Sequence, residues 1–223
     1  MAALLQDLQP VNLQPVQSEP CDLPPQDGKI HLLLCATGSV ATIKIPNIVE
    51  AFSKHNNVSI RLIFTECAKN FLQGQSSEQP SLQTIGDSPN VDGIYFDEDE
   101  WRDPWVQGNK ILHIELRRWD IMVVAPLSAN TLAKITQGWS DNLLLSVVRA
   151  WDTTGQLDPI CDTPGLNRYH DDWGVQNGGW FEVLQPMEKE LACGDVGGGA
   201  MKDWREIVAV IENRLGLTSG MIV

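Results

Sequence analysis

A seven-residue run that is apolar apart from His31, Ile30–Ala36, constrains the fold of this chain more than any other feature. Such a run is typical of a strand that is buried on both faces of a parallel sheet. Thr37-Gly38-Ser39 interrupts the run, and the pattern then predicts a helix from Val40 to His55 and a second buried strand from Val58 to Phe64. A strand, a glycine turn, a helix and another strand form a βαβ unit with a right-handed crossover.

The later segments continue this alternation of strands and helices. A third buried strand is predicted over Ile121–Pro126, and Ser128 is a suitable N-cap for a helix that ends near Gln137. Further helices are predicted over Cys67–Leu72, over Asn142–Trp151 and from Asp203 onwards, the last with Ile207, Val208, Ile211 and Leu215 on one stripe. Residues 73–109 are rich in Ser, Asp, Gly and Pro and are predicted to be mostly loop. The pattern predicts an α/β fold with a doubly wound parallel sheet.

Charge and cysteine content exclude several classes of protein. The chain has 16 Lys and Arg against 29 Asp and Glu, a net charge of −13, which argues against nucleic acid or an anionic membrane as partner. No apolar run approaches the ~20 residues that span a bilayer. The five cysteines form no C-x-x-C pair and follow no signal peptide, so neither a metal site nor a disulfide framework is indicated. We expect a soluble, cytoplasmic protein.

The two ends of the chain differ from its middle. Residues 1–28 hold five of the thirteen prolines and no Lys or Arg. Such a stretch buries too little apolar area to offset the entropy of ordering it, so we predict a disordered N-terminal tail. The expected organisation is this tail, one domain over residues 29–216, and a short C-terminal tail over residues 217–223.

Two polar turns follow predicted strands. Residues 37–41 (TGSVA) follow the first strand, and residues 125–131 (APLSANT) follow the third. Open α/β sheets bind ligands at the carboxyl ends of their strands, and free N–H groups at a helix start suit a phosphate. The first turn lacks the G-x-G-x-x-G spacing of the usual dinucleotide fingerprint. A tight turn and ordinary helix capping are the alternatives, but two such turns in one sheet favour a shared phosphate-bearing ligand.

Two other segments contain residues suited to proton transfer. His113 lies just before the third strand, with Glu115 and two arginines nearby in sequence. A lone histidine is usually structural, so a role in proton transfer stays open here. Residues 191–201 place four glycines around Cys193, which is typical of a mobile loop that closes over a site.

These segments together resemble a known family. TGSVA, LHIELRRW, APLSANTLAKI, DNLL, RAWD and LACGD-x-G-x-GAM, in this order, resemble the flavin-dependent cysteine decarboxylases, most of all those that act on phosphopantothenoylcysteine in coenzyme A biosynthesis. The resemblance covers residues 29–155 and 173–215. It implies a single Rossmann-like domain of the flavoprotein type, and a homotrimer that binds FMN at each subunit interface.

The resemblance also implies roles for particular residues. His113 is implied as the base in the oxidative half of the reaction, and Cys193 as the proton donor in the reductive half. Ala192 and Asn167 are implied as substrate contacts. The residues implied to bind FMN all follow strands: Gly38, Ser39, Val40, Thr65, Ser128, Ala129, Asn130 and Thr131.

One segment departs from the family pattern. The family has a buried strand and a Pro-x-Met-Asn-x-x-Met-Trp motif where this chain has residues 155–172. One alignment, on Pro164, keeps Asn167 but places His170 and Asp171 at the Met and Trp positions of the motif. The other, which runs backwards from Trp173-Gly174, leaves the strand and the motif deleted in this chain. The alternative function is therefore a non-catalytic flavoprotein that inhibits a protein phosphatase as a regulatory subunit. A paralogue acting on a peptide C-terminal cysteine would normally dispense with Cys193.

Overall fold

Four parallel strands form the main sheet of the computed structural model, which describes residues 27–74, 79–102, 104–151, 182–190 and 196–217. The described elements are, in chain order, β1 (Ile30–Ala36), a 3-10 helix (Val40–Lys44), α1 (Ile45–Phe52), β2 (Val58–Phe64), α2 (Glu66–Lys69), α3 (Leu82–Gly86), β3 (Val91–Tyr95), a second 3-10 helix (Asp97–Asp99), α4 (Leu112–Leu116), β4 (Ile121–Val124), α5 (Ala129–Thr136), α6 (Leu143–Ala150), β5 (Met187–Glu190), β6 (Val196–Ala200) and α7 (Trp204–Arg214).

The strand order of this sheet is β3-β2-β1-β4. β1 pairs with β2 over its whole length, from Ile30 opposite Val58 to Ala36 opposite Phe64. On its other side β1 pairs with β4. The chain therefore leaves β1 towards one side of the sheet and returns on the other, so the order reverses between β1 and β4. The predicted doubly wound α/β fold is confirmed.

Both faces of the sheet are covered, which explains the continuous apolar run of β1. Successive side chains of a strand point to opposite faces. Leu32 and Leu34 lie in a core with residues of α1 and α7, whereas Leu33 and Cys35 lie in a second core with residues of α4 and α6. All four are fully buried, and burial raises the pKa of the Cys35 thiol. Each buried aliphatic side chain contributes about 1.5–3 kcal/mol.

The predicted helix from Val40 to His55 is divided and shorter. Its first five residues form the 3-10 helix, and α1 begins at Ile45, because Pro46 has no N–H and suits only the first turn of an α-helix. At the other end the Asn90 side chain donates hydrogen bonds to the carbonyl oxygens of Phe52 (2.6 Å) and His55 (3.1 Å). These carbonyls therefore have a partner from outside the helix.

The described part of residues 73–109 is mostly loop, as predicted, but it also contains α3, β3 and the second 3-10 helix. Ser81 caps α3 by accepting a hydrogen bond from the Thr84 amide. β3 pairs with β2 at one edge of the described sheet. β3 contains Asp92 and Gly93, so it does not form the unbroken apolar run by which a central strand is recognised in a sequence. Asp92 forms an ion pair with Arg61 of β2.

The C-terminal elements agree with the pattern of apolar residues. Asp203 caps α7 by accepting a hydrogen bond from the Arg205 amide, and the predicted stripe is buried against the sheet. Part of the glycine-rich segment predicted as a loop forms β6, which pairs antiparallel with β5. In the described part of the chain, every helix is too short or too polar to cross a membrane.

Glu212 joins α7 to the end of α1. Its carboxylate accepts hydrogen bonds from Lys54 Nζ (2.7 Å) and His55 Nε2 (2.9 Å). Burial alone would raise the pKa of Glu212, but these two partners outweigh burial and hold it below its ordinary value. Because the pKa of Glu212 is lower in the folded state, ionised Glu212 stabilises the fold at pH values above its unfolded-state pKa, about 4.3 for Glu. This stabilisation is lost as the pH falls through the folded-state pKa.

Glu212→Gln is therefore expected to lower the free energy of unfolding by about 1–2 kcal/mol at pH 7, because the charged acceptor is lost. The difference from wild type should shrink as the pH falls through the folded-state pKa, where wild-type Glu212 becomes protonated. Urea unfolding at pH 7 and near pH 3, below the ordinary pKa of glutamate, measures both effects. Glu50→Gln, an exposed change on α1, is the control and should have little effect. An equal loss at both pH values would contradict the assignment.

Candidate functional site

The buried hydroxyl of Thr37 connects the two predicted polar turns. It donates a hydrogen bond to the carbonyl oxygen of Pro126 (2.8 Å) and accepts one from the amide of Ser128 (2.7 Å). The Thr37 amide also donates to the Pro126 carbonyl (3.1 Å), beside a cis Ala125–Pro126 bond. The turns after β1 and β4 therefore lie side by side where the strand order reverses, at what we call the carboxyl edge. Ligands of open α/β sheets bind at such a point.

The first turn requires glycine at position 38. A Cβ atom there would lie 2.5 Å from Cβ of Cys67 in α2, closer than any real contact. The turn is thus pressed against the segment that follows β2. Ser39 accepts a hydrogen bond from the Ala41 amide (3.3 Å) and caps the 3-10 helix, while Val40 is half exposed.

The second turn caps α5 as predicted. Ser128 Oγ accepts a hydrogen bond from the Thr131 amide (3.2 Å), and its hydroxyl also donates to Thr131 Oγ1 (3.1 Å). Thr131 is buried, whereas Ala129 and Asn130 are exposed at the start of the helix. Ordinary capping accounts for the Ser128 hydroxyl, and the exposed residues of the first turn of α5 stay available to a ligand.

Thr65 carries a buried hydroxyl with which no described residue forms a hydrogen bond. Thr65 follows β2, and its amide donates to the carbonyl oxygen of Ala36 (3.2 Å) next to the first turn. Among the residues that the structure describes, no group forms a hydrogen bond with Thr65 Oγ1. An unsatisfied buried hydroxyl is costly, so it points to a ligand that completes the site. This hydroxyl, next to the first turn, fits a phosphate-bearing cofactor.

His113 lies in the first turn of α4, and its partner is Glu100. Nδ1 of the ring is 2.6 Å from Glu100 Oε1, and the His113 amide donates to Glu100 Oε2 (3.2 Å). The Glu100 side chain is 4% exposed and the His113 side chain 24%. Glu115, which is near His113 in sequence, instead pairs with Arg118 (3.1 Å).

The segment that contains Glu100 leaves the carboxyl end of β3. Phe96 of this segment stacks on Phe64 of β2, with 6.3 Å between ring centroids. Asp97 accepts a hydrogen bond from the Leu143 amide at the start of α6 (3.1 Å), and burial raises the pKa of this carboxyl. These contacts place Glu100 and His113 at the same edge as the two turns. Sequence reasoning missed Glu100, because its only signal was an acidic run in a presumed loop.

The remaining predicted site residues, Cys193, Ala192 and Asn167, lie outside the described residues, as does the divergent segment 155–172. Within the described ranges, no group of three or more His, Cys, Asp and Glu side chains is arranged to hold a metal ion.

The fold and this edge define a doubly wound α/β protein whose polar turns meet at the switch point of the sheet. The Flavoprotein family model matches residues 22–216, and the chain belongs to this family. A probable phosphopantothenoylcysteine decarboxylase of Arabidopsis thaliana is 39% identical over 189 residues, which cover 78% of this chain and 83% of that protein.

Two further similarities complete the comparison. The structure of the FMN-binding protein AtHal3 superimposes with a TM-score of 0.60 at 35% identity, covering 86% of this chain and all of that one. Coenzyme A biosynthesis protein 3 of Saccharomyces cerevisiae is 40% identical over 209 residues, which cover 85% of this chain. The chain spans about a third of the length of this and two other curated fungal relatives (34%, 30% and 38%).

Proposed function

We propose that this chain binds FMN and decarboxylates 4′-phosphopantothenoylcysteine to 4′-phosphopantetheine in coenzyme A biosynthesis. The observation that carries the proposal is the buried hydroxyl of Thr65, which has no partner among the described residues and lies beside the Gly38 turn, at the edge that also holds His113. The name of the Arabidopsis relative supports the reaction, and the described function of AtHal3 supports the cofactor.

The proposed FMN-binding residues surround the point where the strand order reverses. Gly38 lets the first turn pack against Cys67 of α2, close to Thr65, and the Thr65 hydroxyl supplies a hydrogen bond that no described group of the protein uses. Ser39, Val40 and the first turn of α5, Ser128 to Thr131, complete the set. Backbone N–H groups at these helix starts favour the negative charge of the phosphate.

The chemistry is divided between cofactor and protein. When bound, FMN would supply the two-electron acceptor for oxidation of the substrate's cysteine moiety and return the electrons after CO2 has left. His113 would accept the proton released in the oxidation. Loss of CO2 is then favourable because the sulfur of the thioaldehyde acid accepts the electron pair. Cys193 is proposed, on the family resemblance, to protonate the product.

Thr65→Val is expected to separate cofactor binding from stability. The apoprotein should unfold at the same urea concentration or a slightly higher one, because no hydrogen bond of a described group is lost. The Kd for FMN should rise about tenfold or more, because a hydrogen bond to a charged group is removed. Urea unfolding and flavin fluorescence titration measure the two effects.

Thr42→Val is the matched control for stability. The buried Thr42 hydroxyl donates to the carbonyl oxygen of Thr37 (3.0 Å), so its removal should cost about 1–2 kcal/mol. A Thr65→Val variant that loses as much stability as Thr42→Val, with unchanged affinity for FMN, would show that the Thr65 hydroxyl is part of the fold rather than of the cofactor site.

His113→Asn tests the reaction. Asparagine cannot accept the proton, so CO2 release from 4′-phosphopantothenoylcysteine should fall about 10²- to 10⁴-fold while FMN stays bound. Cys193→Ser should still release CO2 but accumulate the oxidised enethiol instead of 4′-phosphopantetheine. Mass spectrometry of products and flavin absorbance are the measurements. We expect slow wild-type turnover, because residues 155–172 lack the family motif.

Activity equal in wild type and His113→Asn would refute the role of His113. FMN-loaded wild type that releases no CO2 would instead favour the regulatory alternative, in which the chain inhibits a protein phosphatase.

The proposal includes a homotrimer with the cofactor between subunits. Among the residues that the structure describes, three large aromatic side chains are exposed, Trp101 (70%), Trp105 (53%) and Trp139 (53%), and burial against another subunit would remove them from water. Light scattering of the FMN-loaded protein is expected to give three times the chain mass. A monomer that retains tightly bound FMN would contradict this assembly.

A further inference from the structure

Glu100 makes two contacts with one residue. One oxygen of its carboxylate accepts the backbone N–H of His113 at 3.2 Å, and the other lies 2.6 Å from Nδ1 of the His113 ring. The Glu100 side chain is almost completely buried, whereas a quarter of the His113 side chain is exposed. The buried side of the His113 ring therefore contacts Glu100, and another part of the side chain is exposed to solvent.

These contacts decide which ring nitrogen carries the proton. An ionised carboxylate only accepts hydrogen bonds, so Nδ1 must be the donor. In neutral imidazole the other nitrogen then holds the lone pair. We propose that Glu100 is a positioning residue, which holds His113 as the Nδ1–H tautomer and leaves Nε2 as the atom that accepts the substrate's proton. This inference rests on the proposed function for the identity of that substrate.

The substitution Glu100→Gln distinguishes this role from simple packing. Glutamine has nearly the same shape but offers one acceptor and one donor group in place of two acceptors. The backbone N–H of His113 is always a donor, so it takes the amide oxygen. The amide NH2 group then faces Nδ1 and favours the tautomer with its proton on Nε2. The ring would stay in place but lose the lone pair that accepts the proton.

The experiment combines spectroscopy with kinetics on the FMN-loaded protein. ¹⁵N-histidine labelling and NMR identify the tautomer, and the His113→Asn variant assigns the His113 signals among those of the four histidines. We expect Nδ1–H in wild type and Nε2–H in Glu100→Gln. The kcat for CO2 release should fall about 10²- to 10⁴-fold with KM little changed, as expected when one positioned base is lost. The change from Asp to Asn beside a serine protease histidine, which lowers kcat about 10⁴-fold through the wrong tautomer, is the general precedent.

Glu98→Gln is the matched control, because Glu98 lies in the same segment but forms its ion pair with Lys69 and is exposed. It should leave the tautomer and kcat unchanged. A wild-type ring protonated on Nε2, or an unchanged tautomer in Glu100→Gln, would overturn the proposal whatever the activity. A changed tautomer with unchanged kcat would also overturn it. If wild type releases no CO2 but the tautomer changes as expected, the proposed function fails and the tautomer assignment stands.

Discussion

The hydroxyl of Thr37 is the interaction on which the geometry of the carboxyl edge depends. It donates to the carbonyl oxygen of Pro126 and accepts from the amide of Ser128, and so connects the ends of two strands that lie 89 residues apart in sequence. A parallel pair has no hairpin to align its ends, so side-chain hydrogen bonds of this kind set the relation between the following turns. The hydroxyl is fully buried, and both contacts therefore act in a medium with little competing water.

The sheet confines any ligand to its edge. Both faces are covered by helices and filled by apolar side chains, so polar groups are free to converge only beyond the strand ends. The turns after β1 and β4 and the residue after β2 converge there, and the segment after β3 brings Glu100 and His113. The candidate site is thus formed by residues that follow all four strands of the described sheet, and no single one of these segments is specific in sequence.

Much of the fold could be predicted from periodicity alone. β1, β2 and β4 are mostly apolar segments, the N-caps Ser128 and Asp203 precede their helices, and α7 shows a clear stripe. β3 was missed because an edge strand with Asp92 and Gly93 does not need an apolar run. The single helix expected over 40–55 is divided because Pro46 restricts where α-helical hydrogen bonds can begin.

The class of fold, the two polar turns and His113 as a candidate base all follow from the amino-acid sequence. Three further features depend on the folded chain. The Thr65 hydroxyl has no partner among the described residues, Gly38 packs against Cys67, and Glu100 rather than Glu115 contacts the His113 ring. The physical reason is that periodicity reports only which side of an element is buried. Contacts between turns depend on strand order and on the path of the connecting segments, and these follow from packing of the whole sheet.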